Sequence, residues 1–309
     1  MGSSRRVGNL AAVPGTAACC SAEETMSETV LVIGGTGMLG EPVARRLLED
    51  GHTVRVLTRN PERAAGKLGK DFEVVRGDVE DLASLEQALE GCTGVHVSLD
   101  GGGDWDLERR GGVNVAEVGA RLGLERITMI TGASTCEANT WFPMVRAKLA
   151  AENAIRESGV GYTIFRCTMF MEMLSNLVKG DKALVIGHQP FAWHFLAASD
   201  YARMVSKAYV TPEAAGKILY IYGPEAITME QAMEQYRAAC APEAKLTKLP
   251  FWLVWLVSRL PSRRELREVG YPIMRYFAKV QETESPDEAN ELLGAPTTTL
   301  AEWCERWKG

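Results

Sequence analysis

The first half of the chain alternates apolar runs with amphipathic stretches. Val30-Leu31-Val32-Ile33 is apolar at every position, the pattern of a strand covered on both faces of a parallel sheet. Val43, Leu47 and Leu48 then recur at helical spacing, and Gly51 closes that predicted helix. Further strands are predicted over His52 to Thr58, Phe72 to Val75, Gly94 to Ser98, Ile127 to Ile130 and Tyr162 to Arg166. Helical patterns over Val113 to Leu122 and Lys148 to Ser158 separate the later ones. Such alternation implies βαβ units with right-handed crossovers and a doubly wound α/β sheet of the Rossmann type.

After Leu174 the regularity ends. Phe195 to Ala198 and Ile218 to Tyr222 read as strands, and Asp200 and Thr228 as N-caps, the latter in a capping box with Gln231. Phe251 to Leu260, Arg264 to Val280, Pro286 to Leu293 and Leu300 to Trp307 read as helices, the last capped by Thr299 with Glu302. No repeat or low-complexity linker intervenes, so a small, mostly helical C-terminal region is expected to pack directly on the sheet.

Composition narrows the function classes. The 309 residues are 46% hydrophobic and 24% charged, as in an ordinary globular protein. Lys and Arg number 34 against 40 Asp and Glu, a net charge of −6 with no long basic run, which argues against a nucleic-acid partner. Cys19, Cys20, Cys92, Cys136, Cys167, Cys240 and Cys304 form no Cys-x-x-Cys pair, and His52, His96, His188 and His194 are widely spaced. No metal site is expected, and the cysteines read as reduced thiols in a cytoplasmic protein. The longest apolar run, Phe251 to Val257, is far short of the roughly 18 residues of a membrane span.

Residues 1–28 lack periodicity and are read as a disordered N-terminal extension. Ser4-Arg5-Arg6 would suit a twin-arginine export signal, but Asn9, Pro14 and Gly15 interrupt the apolar region it needs. Arg6 stands where myristoylation requires Ser or Thr, and Met26 precedes the first strand, as it would if the segment extended upstream of a natural start.

The strongest chemical signal is Gly34-Gly35-Thr36-Gly37-Met38-Leu39-Gly40, between a predicted strand and a predicted helix. In that setting glycines serve a dinucleotide pyrophosphate: Gly34 for the tight turn, Gly37 for close backbone approach and Gly40 for packing of helix on strand. The second strand ends Val56-Leu57-Thr58-Arg59-Asn60, without the acid that would hold the ribose 2′-hydroxyl of NAD. Arg59 instead suits the 2′-phosphate of NADP, with Arg55 a weaker helper, so NADP is expected in preference to NAD. The plainer reading of Arg59 is a solvated loop arginine. Asp78, after the third strand, is placed to accept the adenine amino group or to cap a helix, a role Asp81 also fits.

The run Gly34 to Gly40, Arg59-Asn60-Pro61, Gly77-Asp78, and Tyr162-Thr163-Ile164-Phe165-Arg166 followed by Phe170-Met171-Glu172 together resemble the NmrA-like branch of the atypical short-chain dehydrogenases. The resemblance covers Thr29 to Leu174 well and the remainder loosely. It implies an NAD(P)-binding Rossmann core over residues 29–175 and a substrate region over 176–309, with cofactor contacts from Gly34, Thr36, Gly37, Met38, Leu39, Gly40, Arg59, Asp78, Val79, Ser98, Thr131, Lys148 and Cys167. Members of that branch include reductases of quinones and related apolar substrates, and also catalytically silent redox sensors and assembly factors.

The wider superfamily uses Tyr-x-x-x-Lys, in which the lysine lowers the tyrosine pKa for proton transfer. Here Met144 stands four residues before Lys148, and a thioether cannot transfer that proton. Lys148 matches the lysine retained in NmrA-like proteins, where it contacts the nicotinamide ribose or acts as the acid; otherwise it is one more exposed helix lysine. Ser134 falls near the superfamily's substrate-orienting serine. Cys167 replaces the usual proline after the arginine and is expected to pack near the nicotinamide rather than react.

Two functions follow from these residues. One is an NADPH-dependent reductase of a small hydrophobic carbonyl, quinone or enone, with Lys148 or water supplying the proton and Ser134 a weaker candidate for orienting the substrate; the other is a cofactor-binding regulator without turnover. Phe251-Trp252-Leu253-Val254-Trp255-Leu256-Val257, with Arg259, Arg263 and Arg264, reads as core or the wall of an apolar pocket, with peripheral membrane contact as the alternative. Trp141, Phe142, Met169, Phe170 and Met171 are candidates for the same pocket or for the core.

Overall fold

A computed structural model of the chain describes residues 1–2 and 28–307; the readings made for the rest of the N-terminal segment lie outside the described residues. The elements of the first half are β1 (Thr29–Ile33), α1 (Gly40–Glu49), β2 (Thr53–Thr58), α2 (Pro61–Leu68), β3 (Glu73–Arg76), α3 (Leu82–Leu89), β4 (Gly94–Val97), α4 (Leu107–Leu122), β5 (Arg126–Gly132), α5 (Pro143–Glu157) and β6 (Gly161–Cys167). The second half adds β7 (Val178–Lys179), β8 (Lys182–Ile186), β9 (Ala192–His194), α6 (Ala198–Tyr209), β10 (Lys217–Ile221), β11 (Ala226–Thr228), α7 (Met229–Cys240), β12 (Lys245–Leu249), α8 (Phe251–Ser258), α9 (Tyr271–Phe277), α10 (Asp287–Leu293) and α11 (Leu300–Arg306).

Seven strands form a parallel sheet in the order β10-β6-β5-β4-β1-β2-β3. Side chains alternate along β1. Val30 and Val32 pack with Val43, Leu47, Tyr201 and Met204 of α1 and α6 on one face, and Leu31 and Ile33 pack with Leu85, Val115 and Ile155 of α3, α4 and α5 on the other. Both faces are thus covered, which is why the strand has no polar position. The order reverses between β1 and β4, and that switch point, at the C-terminal strand ends, is where an open α/β sheet leaves a crevice.

A third cluster, built on Trp193, Met233, Tyr236, Tyr276 and Trp303, fills the C-terminal region. It is tied to the sheet by Glu172, whose carboxylate accepts from the Ala198 N–H at the start of α6 (3.1 Å) and from the indole N–H of Trp303 (3.0 Å). Burial raises the Glu172 pKa. The Thr228–Gln231 and Thr299–Glu302 capping boxes both form.

Other expectations need correction. Asp200 is not an N-cap: Ala197 holds that position, and the Asp200 carboxylate accepts from the Thr297 and Thr298 N–H groups at 3.1 and 2.9 Å, anchoring the approach to α11. The strand expected over Phe195 to Ala198 ends earlier, at His194, leaving a single bridge from Leu196 to Phe170. The helix expected over Arg264 to Val280 is interrupted by a π-helical turn, Leu266–Gly270. Pro272 explains it, since proline has no N–H and its ring displaces the carbonyl four residues back, so the Tyr271 N–H reaches Leu266 O instead. The small β7-β8-β12 sheet had no clear sequence signal, because Lys182 and Lys245 open runs too short to separate from loops.

Candidate functional site

The glycine loop closes as a tight turn over the end of β1. Gly34 has φ 79°, and its carbonyl accepts from the Gly37 N–H at 2.8 Å. A Cβ at Gly34 would lie 2.0 Å from the Ser98 carbonyl oxygen, so the loop rests directly on the chain leaving β4. A Cβ at Gly40 would lie 2.2 Å from Gly34 O, which lets α1 begin against the turn. Both glycines are therefore required by contact with backbone that cannot move aside. No side chain caps α1; the Glu41 N–H donates to Gly37 O (3.1 Å) and Pro42 has none, so among the described residues it is the Gly40 N–H at the helix start that is left for a ligand. Thr36 contributes its carbonyl to Lys67 at 2.9 Å, Met38 is exposed, and Leu39 packs partly onto the core.

Around this cradle the expected contact residues are held in distinct ways. Arg59 follows β2 and is exposed, its guanidinium making no hydrogen bond or ion pair among the described residues. Asn60 caps α2 through Arg63 N–H at 3.1 Å and Pro61 begins it, which fixes the chain direction after Arg59. Arg55 cannot assist: it donates to the carbonyls of Ala88 (2.7 Å) and Glu90 (2.8 Å) and pairs with Glu73 (3.0 Å), clamping β2 to β3 and the end of α3. Asp78 accepts from Glu80 N–H at 3.0 Å in a loop turn, while Asp81 caps α3. The Val79 side chain is core, and its carbonyl accepts from Asn114.

At the ends of β5 and β6 a buried polar network appears that the sequence did not suggest. The Thr131 hydroxyl donates to Glu152 (2.6 Å), Glu152 accepts from Arg166 on both oxygens (3.2 and 2.6 Å), and Arg166 also donates to the Tyr220 hydroxyl (2.8 Å). Glu152 is fully buried, so this bidentate pair is what allows its charge to lie beneath the sheet's C-terminal edge. Thr131 thus uses its hydroxyl to anchor α5. Cys167 is buried in the core cluster with Phe165, Phe170 and Tyr201, and burial raises its thiol pKa well above the usual value, against the opposing pull of Lys148.

Lys148 is largely enclosed, and its ammonium donates to Glu108 of α4 in a close ion pair. It is not one more surface lysine. Ser134, in the loop after β5, has a partner that no spacing indicated: the hydroxyl of Tyr276, which donates to Ser134 Oγ at 2.7 Å. Tyr276 comes from α9, about 140 residues away in sequence. Its ring stacks on Phe142 with centroids 4.5 Å apart, and burial pushes its pKa up to about 12.

Two residues before Tyr276, α9 also helps line a cavity of about 860 Å³. Met169 and Phe170 line it after β6, Leu253, Val254 and Val257 on α8, and Ile273 and Met274 on α9, with Lys179, Arg263 and Glu265 at the polar positions. The expected pocket residues therefore divide: Met169 and Phe170 line the cavity, Phe142 and Met171 are core, and Trp141 is exposed.

A family of proteins described as NAD(P)H-binding matches residues 34–206, more than half of the chain, and the match begins at the first glycine of the cradle. The chain belongs to this NAD(P)H-binding family. Its NmrA-like, atypical short-chain dehydrogenase character agrees with the sheet order and the loop just described. Among curated relatives of this NAD(P)H-binding chain, it is 30% identical over 211 residues to the (4-alkanoyl-5-oxo-2,5-dihydrofuran-3-yl)methyl phosphate reductase of Streptomyces griseus, covering 67% of this chain and 72% of the relative. It is 25% identical over 235 residues to the photosystem II assembly factor Ycf39 of Cyanophora paradoxa, covering 72% of each. The structure of Citrobacter sp. triphenylmethane reductase complexed with NADP(H) superposes with a TM-score of 0.72 at 18% identity, over 90% of this chain and 99% of that one, a likeness of fold.

Proposed function

We propose that this protein is an NADPH-dependent reductase of a small hydrophobic carbonyl, quinone or enone. The observation that carries the reading is the hydroxyl pair between Ser134, in the loop after β5, and the buried Tyr276 of α9, a helix whose Ile273 and Met274 line the apolar cavity.

The glycine cradle and the uncapped start of α1 fit a pyrophosphate, and the unpaired Arg59 beside a strand end without an acid fits a 2′-phosphate. Backbone near Ser98, Thr131 and Cys167 and the Lys148 ammonium, fixed by Glu108, would complete that site, with Lys148 toward the ribose hydroxyls. NADPH, when bound, supplies hydride to the substrate carbon.

The chain itself supplies the proton. The Tyr276 O–H, which donates to Ser134 Oγ in the free protein, turns to the substrate atom on which negative charge develops and gives it the proton, and Ser134 then gives its own hydroxyl proton to the phenolate and recovers one from solvent. Burial pushes the phenol's pKa up to about 12, so it stays protonated in the neutral range and, being a weaker acid than a free tyrosine, gives up its proton only as negative charge develops on the substrate atom. This assigns to α9 the role that Met144 cannot perform on α5, with Lys148 retained for positioning.

A second reading is favoured by Met144 alone: a protein that binds NADP(H) and responds to its redox state without turnover. The relatives of this chain include both a reductase and an assembly factor. Calorimetric titration of NADPH and NADH, followed by a screen of quinones and enones read by NADPH absorbance, separates the two. Turnover supports the reductase; tight NADPH binding with a persistent blank supports the regulator, and binding of neither cofactor overturns both. Arg59→Asp is expected to weaken NADPH far more than NADH.

A further inference from the structure

Helix α8 is apolar on two sides. Val254 and Ser258 are buried, and Leu253, Val254 and Val257 line the cavity. On the other side Trp252, Trp255 and Leu256, and just past the helix Leu260, are 67, 44, 55 and 52% exposed. Trp252, Trp255 and Leu256, at i, i+3 and i+4, form one outer stripe on the helix, and Arg259 and Leu260 extend the exposed surface in the turn that follows its last residue, Ser258. Four of the ten exposed large apolar side chains among the described residues fall in these nine positions, a clustering that scattered surface hydrophobes do not show.

The charge around the stripe opposes that of the molecule. Residues 251–279 carry six Lys and Arg against two Glu, in a chain whose net charge is −6. Arg259 lies over the Trp255 ring, 4.9 Å from its centroid, so this cation belongs to the apolar face itself. Arg264 is largely exposed after the short turn Pro261–Arg263 that follows α8, 2.9 Å from Glu268.

We infer that the outer face of α8 docks on an anionic lipid bilayer. Trp252, Trp255, Leu256 and Leu260 enter the boundary between headgroups and acyl chains, and Arg259 and Arg264 meet lipid phosphates. Exposed tryptophan beside arginine, on a helix far too short to span, is the chemistry of an interfacial helix. The repeated apolar surface on a locally cationic patch favours lipid over a second copy of this chain, whose contact would bring the same arginines together. Because the inner face of α8 is a wall of the apolar cavity, docking would place that cavity beside the acyl layer. An apolar substrate could then enter from the lipid without crossing water, a consequence that rests on the reductase reading while the docking itself does not.

The test is flotation of the full chain with vesicles of phosphatidylcholine alone and of phosphatidylcholine mixed with phosphatidylglycerol, with sedimentation velocity run in parallel. Binding is expected to the anionic vesicles and to weaken with salt. Arg259→Glu with Arg264→Glu should reduce it roughly thirtyfold or more, from two lipid-facing cations reversed. Trp252→Ser with Leu256→Ser should abolish it. Both pairs lie away from the cofactor cradle, so NADPH affinity at the unmodified level certifies their fold. No binding to either vesicle, or binding that both double variants leave intact, overturns the inference. Self-association that Trp252→Ser with Leu256→Ser removes, without vesicle binding, overturns it in favour of a second copy. Failure to reduce any quinone would sink the reductase reading and leave vesicle binding unaffected.

Discussion

Tyr276→Phe removes one oxygen from the proposed proton donor and leaves its packing in place. The ring keeps its stack on Phe142 (4.5 Å, 18° between planes) and its edge contact with Phe277 (5.5 Å). What is lost is the 2.7 Å hydrogen bond to Ser134 Oγ, while Asn139 still donates to the Ser134 carbonyl at 2.9 Å. A net loss of about 1 kcal/mol of stability is expected, since Ser134 is only half-buried and water can replace the missing partner. If Tyr276 gives the proton in the transition state, kcat falls about 10²- to 10⁴-fold, or about 3 to 5 kcal/mol of barrier. NADPH affinity should stay constant, because the phenol acts only once hydride transfer develops charge. Steady-state kinetics with the best quinone found, urea unfolding and NADPH titration on one preparation give the three quantities. A kcat within a few-fold of the unmodified protein, accompanied by the expected loss of stability, would refute the argument and make the Tyr276–Ser134 pair a tether for α9.

Gly34→Ala forces a Cβ to 2.0 Å from Ser98 O at φ 79°, so at least about 2 kcal/mol of stability and nearly all NADPH binding should be lost, read by thermal melts and calorimetry. Lys148→Met strands the enclosed Glu108 carboxylate and is expected to cost about 3 to 5 kcal/mol in urea unfolding. Adding Glu108→Gln should restore much of that stability while NADPH affinity stays roughly tenfold or more below normal, if the ammonium holds the ribose; restored affinity would remove Lys148 from the site. His96 is fully buried between the hydroxyls of Thr128 (2.9 Å) and Tyr201 (3.4 Å), and burial lowers its pKa to about 3. Below about pH 6.5 the unfolded chain binds a proton that the folded chain refuses, so stability falls as pH falls, by about 1.4 kcal/mol per unit until about pH 3. In His96→Gln the pH dependence of unfolding between pH 6.5 and 5 should be shallower by one proton.

What the sequence determined by itself was local. The caps at Thr228 and Thr299, and in the first half the β1 run from Val30 to Ile33, the glycine loop and the absence of an acid at Arg59, each depend on neighbours a few residues away, and in that first half strand-loop-helix geometry converts them directly into the tight turn at the end of β1. Even within that half, Arg55 and Arg59 looked alike as guanidiniums near one strand. Only the pairing of β2 with β3 and the end of α3 showed that Arg55 is engaged and Arg59 is not. The second half was legible as elements but not as a site. Tyr276 meets Ser134 across 142 positions, Lys148 meets Glu108 across 40, and α8 faces a cavity on one side and solvent on the other. Periodicity cannot distinguish two apolar faces of one helix, and spacing carries no information about partners brought together by packing. The contacts that decide the chemistry are between elements, and only the folded chain fixes those distances.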